Sequence, residues 1–224
     1  MTDVHIMGTA CTPFGKHADK SFKNLTRLAD REISYPLTWA MCSPLGDGAA
    51  AAILCSAAAL ADFPSAARAR AVKVRTSALS GGKYRALDEP GLSKIAADKA
   101  YAKTGLAPAD FDLAEVHDAT PFLRDLSARN AWTVPGRQWR SLHRIGATRL
   151  GGKMPVNVSG GLVSKGHPSS ATGVSTIYGT ALQLRAEAGA RQAPGASLAL
   201  IENGAGVMGF DEAACAITIL EKTS

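Results

Sequence analysis

The chain has 224 residues, which is enough to bury a hydrophobic core as one domain or as a domain and a half. Its apolar share of 46% and charged share of 20% are those of a globular protein, and no apolar run reaches the length of a membrane span. The net charge of +6 suits a polyanionic ligand, but no nucleic-acid-binding motif accompanies it, so we expect no nucleic-acid partner.

The first part of the chain predicts strands joined by loops and short helices. Val4–Ala10 is typical of a strand, and apolar residues at helical spacing predict a helix over Phe22–Ile33. Ala49–Leu54 is a continuous run of small apolar residues, which is typical of a parallel strand buried on both faces. A short helix at Ala58–Phe63 and a strand at Ala71–Ser77 follow.

In the middle of the chain, a short buried strand ends next to two polar residues. A helix is predicted over Leu92–Gly105 because the pattern ends at a glycine, which favours helix C-termini. Phe111–His117 then predicts the strand, with His117 and Asp118 at its end, and a helix follows over Phe122–Asn130. Asp118 either orients a histidine or caps that helix.

The most informative segment is Val156–Gly173, VNVSGGLVSKGHPSSATG. A glycine turn leads to His167, and either Ser169 or Ser170 caps the helix predicted over Ser169–Ala188. The histidine therefore lies beside a helix N-terminus, whose partial positive charge favours an anion or a developing oxyanion. We take His167 as a catalytic candidate. The residues predicted to bind substrate are Ser159, Gly160, Gly161 and Lys165.

Four segments in chain order resemble the thiolase superfamily. They are Val4–Gly15, VHIMGTACTPFG; Leu113–Phe122, LAEVHDATPF; Val156–Gly173; and Ser197–Phe210, SLALIENGAGVMGF. They are most similar to the sterol-carrier-type thiolases and the bacterial acetyl-CoA acetyltransferase-like proteins, over nearly all of residues 36–221. The resemblance implies a layered α/β fold, which thiolases build from two similar βαβαβ halves. The last two strands are predicted over Leu198–Glu202 and Ala213–Leu220.

The resemblance also implies that most of the N-terminal half is absent. Tyr35–Ser56 is similar to the segment that closes the first half of thiolases, so a seam lies near Ile33–Ser34. Between these parts, thiolases carry the helix with the nucleophilic cysteine and the loop domain that covers CoA. We therefore expect a remnant of the N-terminal half at residues 1–79 and a complete C-terminal half at residues 80–224.

The four cysteines of the chain do not replace this nucleophile. Cys42 precedes a run of small residues, but its surroundings, CSPLGDGAA, are typical of a turn before a strand. Cys11 follows the first strand, and Cys55 and Cys215 lie in apolar runs. Their spacing predicts neither a metal site nor a CxxC pair, and unpaired cysteines without a signal peptide predict a cytoplasmic protein.

The resemblance implies roles for the polar residues. His167 is similar to the histidine that activates the nucleophile and binds the thioester oxygen, and His117 replaces the asparagine of the family's Asn-Glu-Ala-Phe motif. Alternatively, His117 is a core histidine with its hydrogen bonds satisfied. In the last turn, Glu202 or Asn203 occupies the position of the Cys-x-Gly cysteine, and the Gly204 N–H is a second oxyanion donor.

The missing half leaves the helix at 171–184, which is apolar on almost every side, without its thiolase partner helix. We expect a second copy or a partner subunit to cover it. The basic segment 137–149 is either a solvated loop or a contact for CoA phosphates.

Three functions remain open. The first is acyl transfer on acyl-CoA thioesters, impaired or partner-dependent because the cysteine segment is absent. The second is a non-catalytic subunit that binds acyl-CoA or another chain, and the third is a retro-aldolase that works with a partner chain. In each case we expect coenzyme A thioesters as ligands and no covalently bound cofactor.

Overall fold

The computed structural model describes residues 4–11, 32–35, 37–86, 88–131, 145–209 and 211–223. The predicted loop at 12–15, most of the helix predicted at 22–33 and the basic segment up to residue 144 lie outside these ranges. The last two residues of that predicted helix belong to a strand instead.

A six-stranded sheet with the order β4-β1-β5-β8-β7-β6 organises the structure. Its strands are β1 (Val4–Cys11), β4 (Ala50–Ser56), β5 (Val72–Gly81), β6 (Leu113–Glu115), β7 (Leu198–Ala205) and β8 (Ala214–Lys222). Neighbouring strands are antiparallel except β6 and β7, which are parallel. At the predicted seam, β2 (Glu32–Ser34) and β3 (Leu37–Thr38) form a separate antiparallel pair.

Helices cover both faces of the sheet. They are α1 (Ala57–Leu60), α2 (Ser65–Arg68), α3 (Leu92–Thr104), α4 (Pro121–Ala131), α5 (Gly161–Lys165) and α6 (Ser169–Leu184). Helix α3 packs on β5, β8 and α4, whereas α6 packs on β1, β4 and β7. Helix α3 ends as predicted at Gly105, whose φ of 69° is readily adopted by glycine and whose N–H bonds Tyr101 O.

The two layers of core follow from the alternation of side chains along the central strands. On β8, Ile217 and Ile219 belong to the cluster beneath α3 and α4, whereas Leu220 belongs to the cluster beneath α6. On β7, Leu200 and Ile201 divide in the same way. The predicted layered α/β fold is confirmed.

The prediction for the fourth strand is wrong. Ala50–Ser56 is antiparallel to β1 and lies at one end of the strand order. Among the described residues α6 packs on this strand, but the consecutive residues Ile53 and Leu54 remain 60% and 62% exposed. A run of apolar residues does not tell whether a strand lies in the centre of a sheet or at its edge.

Helix α6 also differs from the prediction. Ser169 and Ser170 are exposed inside its first turn, and Pro168 occupies the N-cap position without a side-chain cap. The helix ends at Leu184, and its buried side includes hydroxyl residues such as Thr172 and Thr180. Among the described residues, the exposed large apolar side chains lie outside α6, and Val174, Ile177, Tyr178 and Leu182 of this helix are partly buried.

The core makes a stability prediction. Leu220→Ala on β8 removes a fully buried side chain and is expected to lower the free energy of unfolding by about 2–5 kcal/mol. The same substitution at Leu79 on β5, which is 70% exposed, should change it by less than about 0.5 kcal/mol. Urea denaturation measures both, and equal losses would contradict the core assignment.

Candidate active site at the end of the parallel strands

The site begins where β6 ends after three residues. The next residue, Val116, is held by a side chain instead of a strand, because its N–H donates to Asn157 Oδ1 at 2.7 Å and its C=O accepts from Asn157 Nδ2 at 3.1 Å. The N–H of His117 then donates to Glu202 Oε2 on β7 at 2.9 Å. These bonds fix the backbone that carries His117.

The structure brings His117 and His167 together. Their ring centroids are 5.0 Å apart, and the rings meet edge to face at 80°. The backbone N–H of His167 donates to Pro44 O at 2.9 Å, and its Nδ1 lies 2.7 Å from Thr172 Oγ1 on α6. The two imidazoles belong to different motifs, at Leu113–Phe122 and Val156–Gly173, and the fold brings them into one cluster.

Both imidazoles are electrically neutral at pH 7. Burial lowers the pKa of His117 from 6.5 to about 4, and His167 adds to this, whereas a hydrogen bond that the ring donates to the Asn203 side chain opposes it. Burial also lowers the pKa of His167, and the nearby Asp118 charge opposes that shift. A neutral imidazole can donate its N–H to a carbonyl oxygen, and two neutral rings can lie side by side without charge repulsion.

Asp118 has a structural contact that neither sequence interpretation included. Its Oδ1 accepts from Leu162 N at 2.7 Å, at the start of α5 and not at the start of α4. Gly161 has a φ of 69°, and a Cβ there would collide with the Asp118 carboxylate. Glycine is therefore required at 161 for close approach as well as for backbone conformation.

Ser159 and Lys165 form a network with Glu115, a residue that sequence reasoning missed. Ser159 donates to the two carboxylate oxygens of Glu115, from N at 2.9 Å and from Oγ at 2.6 Å. Lys165 Nζ donates to Ser159 Oγ at 2.8 Å. Burial raises the pKa of Glu115, and the Lys165 charge opposes that rise. These contacts join β6 to α5, while Gly160 is exposed at the α5 N-terminus.

Beside the imidazoles lies a cavity of about 350 Å³. It is lined by Ser93, His117, Ala119, Leu123, Leu126, Ser127, Gly204, Ala205, Gly206, Val207, Asp211 and Glu212. Most of the wall is apolar, and its titratable groups are His117, Asp211 and Glu212. Gly204 lies directly against Glu212, whose carboxylate occupies the space that a Cβ at 204 would need.

Glu212 of the cavity wall forms a cluster with the buried residues Glu202 and Cys215. One ligand atom from each lies within 4.8 Å of the others, and the Cys215 thiol donates to Glu202 Oε1 at 3.4 Å. Burial raises the pKa values of Glu202 to about 7 and of Glu212 to about 8, and it also raises that of Cys215. Both carboxyl groups therefore exchange protons near neutral pH, which suits proton transfer. In the sequence, the signal for this cluster is Glu202, a charged residue within the apolar run of β7.

Among the described residues, no thiol makes a hydrogen bond to either imidazole. Cys42 follows a 3₁₀ turn (Trp39–Met41), as predicted, and donates to Thr38 O at 3.6 Å. Cys215 is fully buried with a raised pKa, and Cys55 lies on the edge strand β4.

Comparisons with known proteins agree with this architecture. Residues 90–221 match a family described as thiolase C-terminal domain-like. Sterol carrier protein 2 of Homo sapiens is 38% identical over 204 residues, covering 84% of this chain and 37% of that protein. An acetyl-CoA acetyltransferase of Methanothermobacter thermautotrophicus is 36% identical over 191 residues, covering 83% of this chain and 48% of that protein. The chain thus spans less than half the length of these relatives.

Two solved structures share the fold. One, titled Ltp2-ChsH2(DUF35) aldolase, has a TM-score of 0.72 at 19% identity and covers 92% of this chain and 52% of its own. The other, human mitochondrial 3-ketoacyl-CoA thiolase in complex with CoA, has a TM-score of 0.59 at 20% identity and covers 92% of this chain and 43% of its own. Among the described residues, no helix is long and apolar enough to cross a membrane.

The Glu115 network predicts a large cost when only its cation is removed. Lys165→Met leaves a buried carboxylate without a compensating charge and is expected to cost about 3 kcal/mol of unfolding free energy. Adding Glu115→Gln should restore part of that loss. Lys94→Met, which breaks an exposed pair with Asp98, should cost about 0.5 kcal/mol. Additive effects of the Lys165 and Glu115 substitutions would contradict the network.

His117 predicts an acid-sensitive contribution to stability. Its folded-state pKa lies below 6.5, so its contribution is complete above pH 6.5 and is lost as the pH falls toward about 4. Relative to His117→Gln, the unmodified protein should lose about 3 kcal/mol of unfolding free energy between pH 7 and pH 4. Urea denaturation at several pH values measures this, and parallel curves for the two proteins would contradict it.

Proposed function

The chain belongs to the thiolase C-terminal domain-like family, and from this premise we propose that it binds acyl-CoA thioesters at the pair of His117 and His167. The observation that carries the proposal is the edge-to-face pair of His117 and His167, of which His117 also lines a largely apolar cavity. An apolar wall suits an acyl chain, and imidazole N–H groups suit the thioester oxygen. The name of the archaeal relative, acetyl-CoA acetyltransferase, is consistent with this ligand class.

In the proposed binding mode, backbone and imidazole groups polarise the thioester. His117 and His167 contact the carbonyl oxygen, and Asn203 keeps the ring of His117 in place. The Gly204 N–H and the exposed Gly160 at the start of α5 are the backbone positions that we propose for further contacts with the ligand. Ser159 and Lys165 support the site indirectly through Glu115.

Thiolytic acyl transfer requires a thiolate that attacks the thioester, and we propose that a partner chain supplies it. Cys42 and Cys215, which are held by Thr38 and Glu202, do not serve this role. In this proposal residues 80–224 provide the acyl-binding half of a thiolase-like unit. Residues 1–79 provide the strands that complete its sheet.

A second candidate function is carbon–carbon bond cleavage of the retro-aldol type. It requires a base and an oxyanion site but no thiolate, and the protonated carboxyl groups beside the cavity supply an acid–base pair. The aldolase that shares the fold is titled Ltp2-ChsH2(DUF35), with two components named. In this second candidate function, a partner chain would likewise complete the aldolase.

Binding of acetoacetyl-CoA tests the proposal, with isothermal titration calorimetry as the measurement. His167→Ala should weaken binding about 10-fold, the cost of one hydrogen bond to a carbonyl oxygen. Thr172→Val, which removes the partner of His167 Nδ1, should weaken it several-fold. Thr180→Val is the matched control on α6, because its buried hydroxyl has no hydrogen-bond partner, and it should bind normally.

Mass spectrometry after incubation of the protein alone with acetoacetyl-CoA and CoA should show no acyl adduct on any cysteine. An adduct on Cys42 would contradict the need for a partner thiolate. Absence of acetoacetyl-CoA binding would contradict the proposed function itself.

A further inference from the structure

We propose that Glu212 is a proton-transfer group of the cavity, which removes a proton from the carbon next to the thioester carbonyl of a bound acyl-CoA and returns it. The inference rests on the proposed function, because it requires the thioester to bind at the imidazole pair. It adds a catalytic residue that neither the motif comparison nor the relatives' names assign. It also predicts an activity of the chain that needs no cysteine.

The position of Glu212 is the first support. Its side chain lines the cavity together with His117, and its Oε2 atom is buried without a hydrogen-bond partner. A buried carboxylate oxygen without a partner is costly unless a ligand or a proton satisfies it. This oxygen therefore has an unused hydrogen-bonding capacity on a residue that lines the cavity.

The backbone around Glu212 is firmly held. Its N–H donates to Asp211 Oδ1 at 2.9 Å, and Asp211 Oδ2 accepts from Leu92 N at 2.9 Å and from Arg85 Nη1 at 3.2 Å. The Arg85 side chain is 3% exposed, so this ion pair is shielded from solvent. A base held on a fixed backbone keeps its distance to the reacting carbon.

A second carboxyl group sets the proton affinity of the first. Glu202 is 1% exposed and does not line the cavity, so a ligand in the cavity does not contact it. Burial, together with the charges of Glu202 and Asp211, raises the pKa of Glu212 to about 8. The neighbouring groups that face this pair among the described residues are Asp118, Asp211, Cys215 and His117. Two close carboxyl groups of this kind share a proton near neutral pH.

The chemistry balances without another reactant. The Cα–H bond breaks, the proton moves to the Glu212 carboxylate, and the electron pair moves into the C–C bond as the carbonyl electrons move to oxygen. The resulting enolate oxygen accepts hydrogen bonds from the imidazole N–H groups of His117 and His167. In the reverse step the carbon takes a proton back from Glu212, whose proton has meanwhile exchanged with solvent.

The lining defines the substrate class. Ala119, Leu123, Leu126 and Val207 form apolar wall on the same cavity as the carboxyl group. This wall suits an unbranched alkyl chain, with the carbon next to the thioester carbonyl near Glu212. Butanoyl-CoA is therefore the probe, because it has a short alkyl chain and two exchangeable hydrogens on that carbon.

The experiment measures deuterium incorporation into butanoyl-CoA in D₂O by mass spectrometry, together with butanoyl-CoA binding by calorimetry. The unmodified protein should incorporate deuterium at the carbon next to the carbonyl, at a rate that rises with pH and has a midpoint near 8, since the carboxylate is the base. Glu212→Gln should lower the rate at least about 100-fold and leave binding within about 2-fold. Glu221→Gln, an exposed residue of β8, is the matched control and should exchange normally.

Glu202 is a positioning residue in this scheme, and its variant has a distinct readout. Glu202→Gln removes the neighbouring negative charge, so the midpoint of the exchange profile should move to lower pH. A purely structural role would change the rate without moving the midpoint. Should this buried variant fail to fold, the Glu212→Gln comparison still decides the proposal.

The outcomes separate the two proposals. Binding without exchange would overturn the role of Glu212 and leave the proposed ligand class intact. Exchange that persists in Glu212→Gln would also overturn the role of Glu212. The base would then be another group of the cavity, and His117 would be tested next. Absence of binding would overturn the proposed function and the site that depends on it.

Discussion

The arrangement of the site depends on side chains that replace a strand ladder where β6 stops. Backbone groups beyond Glu115 lie inside the protein and need hydrogen-bond partners. Asn157 satisfies both polar groups of Val116, and Glu202 satisfies the N–H of His117. These hydrogen bonds fix the backbone conformation on both sides of the Val116–His117 peptide bond. The position of His117 is therefore more restricted than it would be in a loop without such partners. The imidazole pair follows from this constraint.

The parts of the fold that the sequence predicts are those with strong local patterns. Helix α3 with its terminal glycine and the strand before His117 are local features, and the proximity of His117 and His167 came from the family resemblance of their motifs. The contacts of Asp118, Glu115 and Glu212 were not predictable in the same way. Each depends on which distant backbone N–H or carboxyl group the chain folds against, and spacing along the sequence carries no such information.

The site combines two opposite shifts of proton affinity in a small volume. Burial lowers the pKa values of His117 and His167 by disfavouring their cations, and it raises those of Glu202 and Glu212 by disfavouring their anions. The same low-polarity environment therefore supplies hydrogen-bond donors and a weak acid side by side. In the proposed function, these groups are the acid–base site of a chain that spans less than half the length of its relatives.

The edge position of β4 has a practical consequence. Within the ranges that the structure describes, this strand pairs with β1 alone, and its sequence AAAILCS has no charge or proline. A row of unpaired N–H and C=O groups beside exposed Ile53 and Leu54 is a template on which another strand can add. Protein concentration therefore becomes a variable in every assay of this chain, because edge-to-edge stacking and the light scattering that reveals it increase with concentration.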